Sequence, residues 1–181
     1  MYQSNKAEVI GPIQTQCESS LVCNYTMKDH ITKLPLSNAT VKLTNMHDAS
    51  KNKDILTAYI SYFTISKESR GQRKCTDAFT SLLNHLKSQH VDVITLYIGS
   101  NTPKKACTCY IHGAKKSGYF IVNCDAEQKC ADGYRLVFTK KNIQKKYKDI
   151  WSKLEELKKD HASFLLQNYT QHDTFSGNHL V

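Results

Sequence analysis

The chain has 181 residues, the size of one domain with a real core, and no apolar run of the roughly 18 residues that a membrane span needs. Its net charge of +9 favours acidic partners, but only Arg70, Arg73 and Arg135 of the 25 basic residues are Arg, so most of it is Lys charge suited to a solvated surface. Its seven Cys, with no apolar leader at the N-terminus, are expected to be reduced thiols of an intracellular, cytoplasmic protein, and the sequons at Asn24, Asn38 and Asn168 are then chance matches.

Residues 1–18 are polar and without period, which reads as a loose arm. The stretches 20–27 and 38–46 read as strands, the second alternating apolar with polar. A polar turn over 47–54 joins it in a hairpin to 55–66, "ILTAYISYFTIS", where β-branched and aromatic residues dominate. Phe79, Leu82, Leu83 and Leu86 form one apolar helical face in 76–89. The nearly continuous apolar run 91–99 predicts a strand buried on both faces. A helix is expected over 102–118, opened by Thr102-Pro103, weakened at Gly113 and closed at Gly118. Strands at 119–123 and 134–140 flank a polar loop, and a long helix follows over 141–168. The order β-β-β-α-β-α-β-β-α places one parallel β-α-β unit within a mixed sheet.

The stretch Lys67–Phe79, "KESRGQRKCTDAF", concentrates two of the three Arg at a strand-to-helix turn. A helix start leaves about four N–H groups without intrahelical acceptors and carries partial positive charge. Gly71 lets backbone approach a ligand, and Arg offers a planar fork for phosphate. The turn is therefore a candidate anion site. It has neither the GxxxxGK[ST] nor the GxGxxG pattern, which argues against nucleotide hydrolysis and dinucleotide-dependent hydride transfer.

"ISKESRGQRKCTDAF" resembles motif A of the GNAT superfamily of acyl-CoA N-acyltransferases. Ile65, Glu68, Arg70, Gly71 and Gln72 match that motif, whereas Lys67, Arg73 and Cys75 stand where the family prefers Pro, Gly, and Gly or Ala. "VDVITLYIGSN" resembles the following family strand with its trailing Asn, and "ACTCYIHGAKKSGYF" the next helix. The resemblance covers about residues 55–140. It implies an α/β (α+β) fold with a mixed, mostly antiparallel sheet, a splayed parallel pair and flanking helices over 1–140. A helical extension over 141–168 and a tail over 169–181 would follow. It also implies acetyl-CoA as cosubstrate, with the pyrophosphate on the turn formed by Arg70, Gly71, Gln72, Arg73, Lys74, Cys75 and Thr76. The pantetheine arm would add like a strand beside Phe63, Thr64 and Ile65, and Asn101 would complete the cofactor site.

Direct acetyl transfer to an amine in a ternary complex needs a base for the amine and a proton for the departing thiolate. The strand 55–66 contains no carboxylate; Asp54 and Glu68 flank it. Tyr110, four residues after Ala106 as in the family, is the candidate acid, although it lies eight residues before Gly118 where the family has about four. The segment before residue 55 is short and lacks a helical pattern, so the acceptor site is expected to be reduced. The runner-up function is a weakly active or inactive CoA-binding module on the same fold. A further alternative is a nucleic-acid binder using Lys140, Lys141, Lys145, Lys146 and Lys148; scarce Arg and the lack of a stacking motif argue against it.

The remaining candidates point to packing. Cys107 and Cys109 lie about 200° apart around a helix, which is poor for one metal ion, and no metal site is expected. Cys75, at a helix start, would have a lowered pKa if exposed. Ile143, Tyr147, Ile150, Leu154, Leu157, His161, Phe164 and Asn168 form a heptad-like seam, read as a homodimer contact slightly ahead of a helix lying on its own sheet.

Overall fold

A computed structural model describes residues 10–11, 13–98, 104–121 and 134–156. Its strands are β1 (Gln14–Cys17), β2 (Val22–Lys28), β3 (Pro35–Asp48), β4 (Lys53–Ile65), β5 (Val93–Ile98), β6 (Phe120–Ile121) and β7 (Tyr134–Thr139). Its α-helices are α1 (Lys74–Ser88), α2 (Lys104–Ser117), α3 (Ile143–Lys146) and α4 (Lys148–Glu156), and a 3₁₀ turn at Lys67–Ser69 leads from β4 towards α1.

The strands form one seven-stranded sheet in the order β1-β2-β3-β4-β5-β7-β6. All its pairings are antiparallel except β4 with β5, and β7 inserts between β5 and β6. The mixed sheet with one parallel pair and flanking helices is the fold expected from the sequence. The apolar period explains its two-sided core. In β5, Ile94 and Leu96 face α1 and α2, whereas Val93 joins the opposite cluster. A strand buried on both faces reads as an unbroken apolar run.

On the first face, Phe79, Leu82, Leu83 and Leu86 of α1 and Ala106, Tyr110 and Ala114 of α2 pack with Val41, Ile60, Phe63, Leu136 and Phe138. Gly113 does not interrupt α2. A Cβ there would stand 2.8 Å from Phe79 Cδ1 and 3.3 Å from the Thr80 backbone nitrogen, so the missing side chain is what lets α2 lie close to α1. On the second face, Ile143, Tyr147, Ile150 and Leu154 cover Ile55, Val93 and Val137.

Several expectations need correction. The N-terminal arm contains an edge strand, because Gln14–Cys17 pairs antiparallel with residues 23–26 of β2, from Gln14↔Thr26 to Cys17↔Cys23. All four residues of β1 are exposed, so the strand leaves no apolar alternation to read. The helix expected from residue 141 is broken at Tyr147, whose backbone leaves helical geometry at φ −132° and ψ 75°. The first half of its seam is buried on its own sheet rather than offered to a second copy. Leu157, His161, Phe164 and Asn168 lie outside the described residues.

The thiol expectation fails more broadly. Cys17 is bonded to Cys23 and Cys75 to Cys109, and Cys107 is disulfide-bonded as well. Every described Cys is therefore oxidised. Sequence spacing could not show that α2 brings Cys109 against the start of α1.

Candidate functional site

The parallel register between β4 and β5 runs only from Thr57↔Val93 to Ile60↔Leu96. Beyond it β5 continues to Ile98 paired with β7, and β4 continues to Ile65 paired with β3. The two strands therefore part where the pairing ends. A register shift between Thr40 and Val41 pairs Tyr62 with Thr40 and Ile60 with Val41, leaving Ser61 as the extra residue in β4. Such a bulge bends the strand and increases its local twist. Phe63, Thr64 and Ile65 thus line one side of an open wedge, and among the described residues their backbone makes no ladder pairing on the β5 side. With β7 inserted beside β5, this is the splayed sheet implied by the motif resemblance. The fold is GNAT-like.

The wedge leads directly to the basic turn. Arg70 Nε donates to the Ile65 carbonyl at 3.3 Å, fixing the turn to the end of β4, and the exposed guanidinium carries further N–H donors. Gln72 Nε2 donates to the Glu68 carbonyl at 2.9 Å. Gly71 has φ +76°, and no heavy atom lies within 4 Å of where its Cβ would be. Its positive φ is a conformation that glycine adopts without steric cost. Arg73, the N-cap of α1, also adopts a left-handed backbone at φ 59°. This accounts for the motif's preference for Gly at that position and shows that Arg occupies the same conformation here. The N-cap side chain leaves the helix start uncapped, as Arg73 has no acceptor and makes no side-chain capping bond.

Lys74 directs its side chain away from the turn, to Asp29 Oδ2 at 3.4 Å. Asp29 also accepts from the backbone N–H groups of Thr32 at 2.9 Å and Ile31 at 3.0 Å. The Thr32 N–H is the main cause holding its carboxyl below the usual range, with Lys74 assisting. Cys75 has no free thiol; its disulfide to Cys109 fastens the first turn of α1 to α2. Thr76 accepts through its carbonyl from Thr80 Oγ1 at 2.6 Å. Asn101 lies outside the described residues.

Tyr110 is fully buried between the two helices and the sheet. Its ring lies 4.8 Å from that of Phe79 and 5.9 Å from that of Phe63, centroid to centroid. Burial pushes its pKa up, so the phenol holds its proton throughout the ordinary pH range. Phe63 gives its ring to this same core while its backbone borders the wedge. Asp54 lies at the opposite end of β4, paired with His47 Nδ1 at 2.7 Å. The structure therefore brings Phe63–Ile65 and Arg70–Thr76 together, and places Tyr110 behind Phe63. Sequence reasoning missed Asp29 and Cys109, both contributed by elements remote in sequence.

No family model matches the chain, and no curated protein matches it. Solved structures do. An acetyltransferase from Vibrio fischeri is 17% identical at a TM-score of 0.35, over 43% of this chain and 62% of that one. A mutant of the spermidine N-acetyltransferase SpeG from Vibrio cholerae is 13% identical at a TM-score of 0.45, over 70% and 69%. An acyl-CoA N-acyltransferase from Klebsiella pneumoniae is 13% identical at a TM-score of 0.41, over 66% and 72%. The chain thus spans somewhat less than two thirds of the first of these proteins.

Proposed function

We propose that the chain is an acetyl-CoA-dependent N-acyltransferase that moves an acetyl group to an amine by direct attack within a ternary complex. One observation carries the reading: the edge of β4 at Phe63–Ile65, which pairs with no strand on the β5 side among the described residues, leads into the Gly71–Arg73 turn and the N-terminus of α1. An extended pantetheine arm, with its amides, matches a strand edge seeking hydrogen bonds. A pyrophosphate matches the helix-start amides of Gly71, Gln72, Arg73, Lys74, Cys75 and Thr76 with the charge of Arg70. Asn101 is proposed to contact the same ligand. A backbone N–H at the splay is assigned to hold the thioester oxygen as negative charge develops on it. Tyr110 keeps a proton behind Phe63 and is assigned to the departing thiolate. The amine's own proton must pass to water or the acceptor's surroundings, since β4 supplies no carboxylate near the wedge.

Titration calorimetry with acetyl-CoA and CoA tests the proposal. Binding in the micromolar range, lost or weakened on Arg70→Ala, is expected; no binding at millimolar ligand would sink it. The missing carboxylate favours a second reading, a CoA-binding module without turnover. The two separate on a panel of amines and peptides, where acetylation above the blank rate rejects the second.

A further inference from the structure

β2 and β3 bring two sequons together on one side of the sheet. Asn24-Tyr25-Thr26 runs antiparallel to Asn38-Ala39-Thr40, in register Asn24↔Thr40 and Thr26↔Asn38. The central residues Tyr25 and Ala39 are buried towards α1, so the Asn and Thr side chains all project from the opposite face. There the hydroxyls cross between the motifs. Thr26 Oγ1 donates to Asn38 Oδ1 at 3.0 Å, and Thr40 Oγ1 donates to Asn24 Oδ1 at 2.8 Å. Among the described residues no helix covers this patch: α1 packs on the other face, and α4 reaches β3 near Asp48. Asn38 is exposed, whereas Asn24 is half-buried and donates its Nδ2 to Glu18 Oε1 at 3.0 Å.

A sequon has meaning only in a compartment that glycosylates, and such compartments are oxidising. The oxidised state of all the described Cys supplies that second observation. It also removes the premise on which the sequons were taken for chance matches.

We infer that Asn38 is an N-glycosylation site and that its glycan covers the bare outer face of the β2–β3 pair. In the reaction, the Asn38 amide nitrogen bonds to the anomeric carbon of a lipid-pyrophosphate-linked oligosaccharide. The bond from that carbon to the pyrophosphate oxygen breaks, the lipid pyrophosphate leaves with the bonding pair, and the nitrogen gives one proton to a base. One N–H and the carbonyl oxygen remain on Asn38, so the bond from Thr26 survives. Asn24, diagonally across the pair and only about 7 Å away, is shielded by Glu18 and by a glycan on Asn38.

The test is peptide mapping of the full-length protein isolated from its native cells without reductant, before and after peptide-N-glycosidase in ¹⁸O-water. Enzymatic release should convert Asn38 to ¹⁸O-labelled Asp and lower the intact mass by at least one glycan. An unmodified Asn38 peptide overturns the inference. In secreted expression in an Asn168→Gln background, which removes the third sequon, Thr40→Ala and Asn38→Gln should each abolish the glycosidase-dependent gel shift. Thr40→Ser should retain it, as should Asn24→Gln. A shift that survives Asn38→Gln in that background overturns the assignment. Coenzyme A binding plays no part in this readout, so the site stands or falls independently of the proposed activity.

Discussion

Arg70 ties the end of β4 to the turn through the Ile65 carbonyl and supplies the permanent charge beside α1. Losing a charged hydrogen-bond partner of phosphate costs about 1.5–3 kcal/mol, so Arg70→Ala should weaken CoA binding about tenfold or more by calorimetry. Arg73 contributes differently. Its left-handed backbone costs roughly 1–2 kcal/mol in a residue with a Cβ, so Arg73→Gly should offset the strain there. Calorimetry and a thermal melt would show whether CoA affinity holds while the midpoint rises; a lowered midpoint contradicts the strain argument. Gly113 presents the reverse case. A methyl group would stand 2.8 Å from Phe79 Cδ1 and 3.3 Å from the backbone of α1, and overpacking of this kind costs about 1–3 kcal/mol. Gly113→Ala should lower the thermal midpoint measurably.

Among the elements, α4 owes its position to a carboxylate from another part of the sheet. Asp48, at the end of β3, accepts from the Ser50 hydroxyl, from Lys51 N at 3.0 Å and from Ile150 N in the first turn of α4 at 3.3 Å. Asp149 returns the contact by accepting from Ala49 N at 3.2 Å. The Ser50 hydroxyl is the main cause holding the Asp48 pKa below its ordinary value. A depressed carboxylate adds stability that is fully present above its unfolded pKa, near 3.9, and is lost as pH falls through the folded value. Thermal midpoints of the native protein should therefore fall below about pH 4, and Asp48→Asn should flatten that part of the profile while lowering the plateau at neutral pH. An unchanged acid limb in the variant would show that Asp48 carries none of it. The heptad-like seam of this segment was legible in the sequence, but its partner was not. Ile143, Tyr147, Ile150 and Leu154 meet Ile55, Val93 and Val137 because the second face of the sheet is apolar there, and a seam specifies only that something apolar must cover it.

For the molecule as a whole, the Cys75–Cys109 bond joins the candidate cradle to α2 across a sequence separation of 34. Cross-linking a loop of that size stabilises by about 2–4 kcal/mol, mainly by restricting the unfolded chain. Reductant should lower the thermal midpoint, and Cys75→Ala with Cys109→Ala should reproduce part of that loss. An unchanged midpoint in both would contradict the cross-link. Because the bond holds the first turn of α1, the same double variant should also loosen CoA binding if the cradle depends on its anchoring to α2.

By itself the sequence determined the alternation of strands and helices, the two-sided burial of β5 and the anion-favouring turn at Gly71–Arg73, since periodicity and turn chemistry are local. The tertiary structure decided which edges stay open and which distant residues meet. The end of parallel pairing at Ile60↔Leu96, the passage of Lys74 to Asp29 and the union of Cys75 with Cys109 depend on how the strands and helices are stacked. So does the crossing of the Asn24 and Asn38 sequons on one uncovered face. Pairing register and helix packing bring together side chains whose separation along the chain carries no periodic signal, and no local pattern records that separation.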